Sequence, residues 1–329
     1  MNDKQVYTKS EAIALMNCLG KKRVPFLFII DFEMNKTMVF RLDYPLPSSI
    51  HYDFSGNMPV SKTLPPEILP VLRKFPVSFE TYLKAFGLVM QHIQAGNTFV
   101  VNLTMPTFVD SSFSLCELYE RCHARFKLLV DDAFVCFSPE PFIRIQGGVI
   151  STFPMKGTIS CNVPDAEQVI LSDKKEMAEH FTIVDLLRND LSMVANNVSV
   201  KKFRYLDKII THEGEILQVS SEISGELSAG FQSKIGDILF TLLPAGSVTG
   251  APKPKTTAII RETEVADRGY YTGICGVFNG EDLESAVMIR FIELINGTMV
   301  FRSGGGITFL SNARSEYEEM ISKVYVPVA

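Results

Sequence analysis

The stretch Ser285-Ala-Val-Met-Ile-Arg-Phe-Ile-Glu-Leu-Ile295-Asn296-Gly297-Thr298-Met-Val-Phe-Arg-Ser303 decides the fold class. Two apolar, β-branched runs flank an Asn-Gly pair, the dipeptide that accepts positive φ at both central positions of a tight hairpin. The pattern predicts antiparallel strands over residues 285–295 and 298–303. Working outward, further strands are expected at 271–279, 215–221, 199–202, 148–154, 142–146, 133–137 and 98–104, with an opening hairpin of 25–32 and 37–42. Helices are expected at 9–19, 79–95, 166–187, 235–242, 252–263 and 313–324. Gly96-Asn97 stands just past the second of these, the usual place for a C-terminal cap. No period suggests a solenoid, and the fold class is α+β. Seven of the 17 prolines lie between Tyr44 and Pro76. Proline fixes φ and removes a donor, so a surface connection with sparse regular structure is expected there.

A chain of 329 residues suits one large domain or two modest ones, and 46% hydrophobic against 21% charged residues excludes disorder. A net charge of −5 without a basic run argues against a general electrostatic grip on nucleic acid. The six cysteines form no CxxC pair, and Met1 to Leu19 mixes charges among its apolar residues, unlike a secretory leader, so the cytosol is expected. The purest apolar stretch, Pro25 to Ile30, is far below the roughly 20 residues that cross a bilayer.

Several residue sets carry possible chemistry. Glu316, Glu319 and Lys323 fall at i, i+3 and i+7 of the expected C-terminal helix and share a face. Such a stripe is either a solvated charged surface or part of a site. Gly304-Gly305-Gly306 directly before it lets backbone N–H groups approach a ligand. A second acidic helix brings Glu179 to the edge of the apolar Ile183-Val184-x-Leu186-Leu187 run, and glutamates from two helices suit a hard cation. The segment Pro244-Ala-Gly-Ser-Val-Thr-Gly-Ala-Pro-Lys253 enters a helix and is read either as an anion dock or as a structural turn. It is not a P-loop, because Lys253 does not follow the second glycine. Lys156, between Pro154 and Gly157, is either a surface lysine with a packed stem or an amine made nucleophilic by partial desolvation. Glu140 closes an apolar strand and suits a general acid kept protonated by its neighbours.

Blocks spread along the chain resemble one known family. They are Phe137-Ser-Pro-Glu140, Pro154-Met-Lys-Gly-Thr158, Lys175-Glu-Met-Ala-Glu-His180 with Ile183-Val-Asp-Leu-Leu-Arg-Asn-Asp-Leu191, and Gly246-Ser-Val-Thr-Gly-Ala-Pro-Lys253. Arg268-Gly-Tyr-Tyr-Thr-Gly273, Ile289-Arg290, Gly304-Gly-Gly-Ile307 and Glu316-Tyr-Glu-Glu319 follow in order. From about Gly96 to Lys323 the chain is similar to the chorismate-binding enzymes, which include the first components of anthranilate and aminodeoxychorismate synthases and the isochorismate and salicylate synthases. The resemblance implies an αββα sandwich of two large antiparallel sheets with helices outside. It also implies a catalytic domain over 78–329, with 1–77 as an abbreviated N-terminal segment packed on the same fold.

Within that family, the resemblance makes a lysine in the P-x-K-G-T block the mark of aminodeoxychorismate formation. Anthranilate synthases usually carry alanine there, and here the residue is Lys156. Isochorismate-type members place a lysine in the block corresponding to 98–104, which here reads Thr-Phe-Val-Val-Asn-Leu-Thr. The resemblance further implies Mg²⁺ held by Glu179, Glu316 and Glu319, with Lys156 as nucleophile and Glu140 as acid. It has the substrate carboxylates met by Tyr271, Arg290 and Lys323 and by the backbone near Thr249, Gly250 and Gly306. The chain shows no glutaminase of its own, and Cys275 reads as a small buried residue, so a separate class I glutamine amidotransferase is the expected partner. Gln218 stands where other members often carry histidine, and His212 reads as a loop residue. The short N-terminal region makes a tryptophan pocket doubtful. Anthranilate synthase component I and a non-catalytic chorismate-binding subunit are the alternatives.

Overall fold

The computed structural model describes residues 6–54, 72–211 and 214–327. The chain forms two compact units, one of Met1–Leu46, Glu140–Ser247 and Gly273–Val287, the other of Pro47–Pro139, Val248–Thr272 and Met288–Ala329. Residues 77 and 78, on either side of the division implied by the resemblance, both belong to the second unit's Pro47–Pro139 segment.

Each unit is built on one large antiparallel sheet. In the first, ten strands are joined, with Phe26–Ile30 between Thr37–Arg41 and Ile274–Phe278, then Leu283–Val287, Pro141–Gln146, Val149–Thr152 and the long Gly214–Glu226. Both Met155–Ser160 and Asn196–Thr211 pair with Gly214–Glu226. All five residues of Phe26–Ile30 are buried, which explains its unbroken apolar run where a one-sided strand would alternate. The helix Lys9–Lys21 begins at a Thr8/Glu11 capping box, worth about 1 kcal/mol, and packs on Ile235–Leu242. The helix Lys174–Ser192 lies on the hairpin of Asn196–Thr211 and Gly214–Glu226.

The eight-stranded sheet of the second unit runs Gly250–Ala251, Val100–Asp110, Thr298–Ile307, Phe291–Ile295, Phe134–Ser138, Phe126–Val130, Ile50–Asp53, with Arg73–Pro76 also beside Val100–Asp110. The helix Phe79–Gln94, capped by Ser78, packs on Lys253–Thr263 and Ala313–Ser322. Gly96 has φ +72° just beyond its end, as its position in the sequence implies. Asn296 and Gly297 have φ +51° and +79°, the geometry expected of the hairpin turn between Phe291–Ile295 and Thr298–Ile307. The α+β class and the two large antiparallel sheets are therefore both present. Among the described residues no helix is long and apolar enough to cross a membrane.

Three elements differ from expectation. The run 285–295 is not one strand: Leu283–Val287 belongs to the first sheet and Phe291–Ile295 to the second. The break falls at Met288-Ile289-Arg290, where Arg290 has φ +52°, and it is hidden in the sequence because Met288 and Ile289 are as apolar as their neighbours. The helix expected over 166–187 is two, Ala166–Ser172 and Lys174–Ser192, because Asp173 takes extended angles and its side chain accepts from Glu176 N at 2.9 Å. The proline-rich segment contributes more than a connection, since Ile50–Asp53 and Arg73–Pro76 join the second sheet. Residues 55–71 of that segment and His212 lie outside the described residues.

Candidate active site

In the second unit the triple glycine forms the end of the strand Thr298–Ile307, and the helix Ala313–Ser322 packs over it. A β-carbon on Gly305 would stand 3.5 Å from Glu316 Oε2, 3.7 Å from Lys323 Nζ and 3.8 Å from Glu319 Oε1. Expected from helical spacing alone, these three side chains do gather over one glycine. Lys323 Nζ pairs with Glu319 Oε1 at 2.7 Å and donates to the Gly304 carbonyl at 3.0 Å. Ser311 Oγ donates to Glu316 Oε1 at 2.7 Å, and Glu316 is buried. Burial, and then the charges of Glu316 and Glu319, push the Tyr82 hydroxyl far above its ordinary range. Arg290 donates to the Lys323 carbonyl at 3.3 Å and to the Tyr325 hydroxyl at 3.2 Å, at the negative end of the same helix. Gly306 pairs with Asn102 in the ladder.

Thr249 and Gly250 leave the Gly/Ser/Thr loop and join the strand Val100–Asp110. Gly250 has φ +127°, and a β-carbon there would come within 1.9 Å of the Val100 carbonyl, so only glycine fits. This turn is clamped by a buried pair absent from the expected site. Arg268 holds Glu264 through both Nε (2.9 Å) and Nη2 (2.6 Å) and donates to the carbonyls of Val248 (2.7 Å) and Asn102 (2.6 Å). Tyr271, three residues on, is buried, 3% exposed. Replacing Arg268 by methionine would leave the buried Glu264 carboxylate without a counter-ion, held by Thr104 N and Oγ1 alone; a loss of about 3–5 kcal/mol is expected in urea unfolding, and a loss under 1 kcal/mol would contradict the clamp.

In the first unit Lys156 lies in a β-bulge. Met155 pairs with Ser220 but Thr158 with Gln218, so Lys156 and Gly157 together oppose Val219. Gly157 supplies φ +85°. A bulge of this kind re-aims a side chain out of the regular alternation. The neighbouring strand bulges at the same level, where Lys202 pairs with Glu222 and Tyr205 with Ser220. Beneath it, Ser221 Oγ accepts from Arg204 N at 2.9 Å and lies 2.7 Å from His180 Nε2. His180 is buried, and burial, followed by the charges of Arg204 and Lys156, brings its pKa down to about 4, so the ring is neutral at pH 7. Glu179 precedes it on the helix Lys174–Ser192, partly buried.

Glu140, also partly buried, precedes the strand Pro141–Gln146 and accepts a 2.5 Å hydrogen bond from Ser247 Oγ. Both residues line a small cleft whose wall includes Phe142, Phe153, Pro154, Leu187 and Val287. Pro154 belongs to the cleft and Lys156 follows it by two residues. Cys275 is buried within Ile274–Phe278, and burial raises its thiol well above the usual range, as suits a structural residue.

The residues over Gly305 fit a hard dication by their chemistry: two carboxylate groups, Glu316 and Glu319, face the same glycine. Within either unit, among the described residues, no three His, Cys, Asp or Glu side chains converge tightly enough to hold a metal alone. A dication there needs a donor besides Glu316 and Glu319.

The arrangement also holds three groups not singled out from sequence: Ser247, the His180–Ser221 pair and the Arg268–Glu264 clamp. Ser247, His180 and Arg268 fall within the blocks quoted above, but Ser221 and Glu264 do not; Glu264 and Arg268 stand four residues apart, while Ser221 lies 41 from His180 and leaves no local pattern.

A family model described as chorismate binding enzyme matches residues 52–329. An uncharacterized PabA-like protein of Haemophilus influenzae is 50% identical over 322 residues, covering 98% of each chain. Aminodeoxychorismate synthase component 1 of Bacillus subtilis is 31% identical over 265 residues, 76% of this chain and 55% of that one. The crystal structure of anthranilate synthase component I from Streptococcus pneumoniae superposes with a TM-score of 0.64 at 26% identity, covering 78% of this chain and 60% of the other.

Proposed function

Because the chain belongs to the chorismate-binding enzyme family, we propose that it converts chorismate and ammonia into 4-amino-4-deoxychorismate and water. The observation that carries this choice within the family is Lys156, set at a β-bulge beside a glycine with positive φ. The Lys156 amine adds at carbon 2 of the ring and sheds a proton, while both ring double bonds shift by one position and the hydroxyl at carbon 4 departs. Glu140 gives that hydroxyl its proton, so it leaves as water. Ammonia then adds at carbon 4 and gives up a proton, both double bonds shift back, and the Lys156 nitrogen takes up a proton as it is expelled from carbon 2. One difficult displacement becomes two easier ones.

Arg290, Lys323 and Tyr271, with the backbone of Thr249, Gly250 and Gly306, are assigned to the two substrate carboxylates, arginine offering a planar fork. Glu179, Glu316 and Glu319 would hold Mg²⁺, which when bound supplies positive charge beside a carboxylate in an otherwise acidic setting. Ammonia is delivered by a separate glutamine amidotransferase. The similarity to an anthranilate synthase of known structure supports a second reading, amination at carbon 2 with loss of pyruvate. The deciding experiment incubates the purified chain with chorismate, Mg²⁺ and ammonium, then with glutamine and an amidotransferase, and identifies the product. Aminodeoxychorismate is expected; anthranilate as the main product would overturn the choice, and binding without turnover would favour a non-catalytic subunit.

A further inference from the structure

Resting on the amination proposed above, we infer that Ser247 is the positioning residue that sets the Glu140 carboxyl for proton donation. Its hydroxyl donates to Glu140 Oε1 at 2.5 Å, a short O–H···O bond that leaves Oε2 to carry the proton. The cleft around them is mostly apolar, and its other hydroxyl, Thr152, is spent on the Phe142 carbonyl at 3.0 Å. A glutamate carboxyl samples several geometries, and reaching the reactive one costs conformational entropy. The Ser247 bond selects that geometry before substrate arrives.

Both partners are themselves held in place. The Glu140 carbonyl accepts from Val287 N at 3.0 Å, anchoring the main chain. On the other side, Gly246 seats the loop directly on the helix Lys174–Ser192. A β-carbon at Gly246 would meet Leu186 Cδ2 at 2.9 Å and Asp190 Oδ2 at 3.3 Å. The tight turn Gly246–Val248 then presents the serine hydroxyl to Glu140. The Gly-Ser pair that begins the loop block thus has a role separate from the anion docking expected of its Thr249-Gly250 end: glycine sets the depth of the loop and serine holds the acid.

The test compares the full chain with Ser247→Ala, Ser247→Thr, Gly246→Ala, Glu140→Gln and the Ser247→Ala/Glu140→Gln double variant, assayed with chorismate, Mg²⁺ and ammonium. Ser247→Ala should lower kcat about 10- to 100-fold, the scale of a misplaced catalytic group, with KM for chorismate within about twofold. Ser247→Thr, which keeps the hydroxyl, should recover most of that loss, and Gly246→Ala should imitate it. In the Glu140→Gln background the serine change should add less than about twofold, because the group it positions is gone. Wild-type kcat in Ser247→Ala, threonine as poor as alanine, or equal losses in both backgrounds would overturn the inference. Isotope-edited infrared spectroscopy provides a readout without turnover: the carboxyl band lost in Glu140→Gln should move in Ser247→Ala. A wild-type chain that does not aminate chorismate would sink the proposed function alone, while an unmoved band would sink the role of Ser247.

Discussion

Lys156→Ala is expected to abolish most aminodeoxychorismate formation, a drop in kcat on the order of 10³-fold or more, while leaving the fold intact. Without the amine, ammonia has to displace the hydroxyl directly. The fold should survive because Lys156 sits in a bulge outside the regular ladder, and truncating it removes no backbone bond. Lys156→Arg separates two explanations. Arginine keeps the positive charge but does not deprotonate in proteins, so it supports substrate binding and not attack. Arginine should therefore be as inactive as alanine. Mass spectrometry offers an independent check: with chorismate and no ammonia, the peptide bearing Lys156 should gain the mass of chorismate less one water. Unchanged turnover in Lys156→Ala would remove the lysine from the mechanism.

Glu140→Gln should lower kcat by about 10²- to 10⁴-fold, the usual contribution of a positioned acid, with KM for chorismate little altered. Glutamine keeps an oxygen for Ser247 and nearly the same volume in the cleft, so the thermal midpoint should stay close to that of the wild type. It has no carboxyl proton to give the departing hydroxyl. The covalent adduct on Lys156 should consequently fail to build up in this variant even without ammonia. An adduct formed at the wild-type rate would show that the leaving hydroxyl takes its proton from elsewhere.

How far local pattern reaches is visible in individual elements. Asn296-Gly297 specified its own turn because both residues tolerate positive φ, and Gly96 ended its helix for the same reason. The spacing of Glu316, Glu319 and Lys323 placed them on one helix face, and they do gather over Gly305. Where a residue's conformation depends on what it meets across space, the pattern was silent. Arg290 turns the chain from one sheet to the other inside an apolar run that reads as a single strand. Asp173 divides a helix through one side-chain bond to Glu176 N that helical periodicity cannot register.

By itself the sequence determined the α+β class, the order of the elements and the family, because those depend on residue types at short, regular separations. Tertiary structure alone decided which hydroxyls meet Glu140 and Glu264 and that Lys156 stands in a bulge. Ser247 lies 107 residues from Glu140 and Thr104 160 from Glu264, contacts set by sheet register and loop depth. Register is a property of two strands together, and a bulge exists only as a mismatch between them.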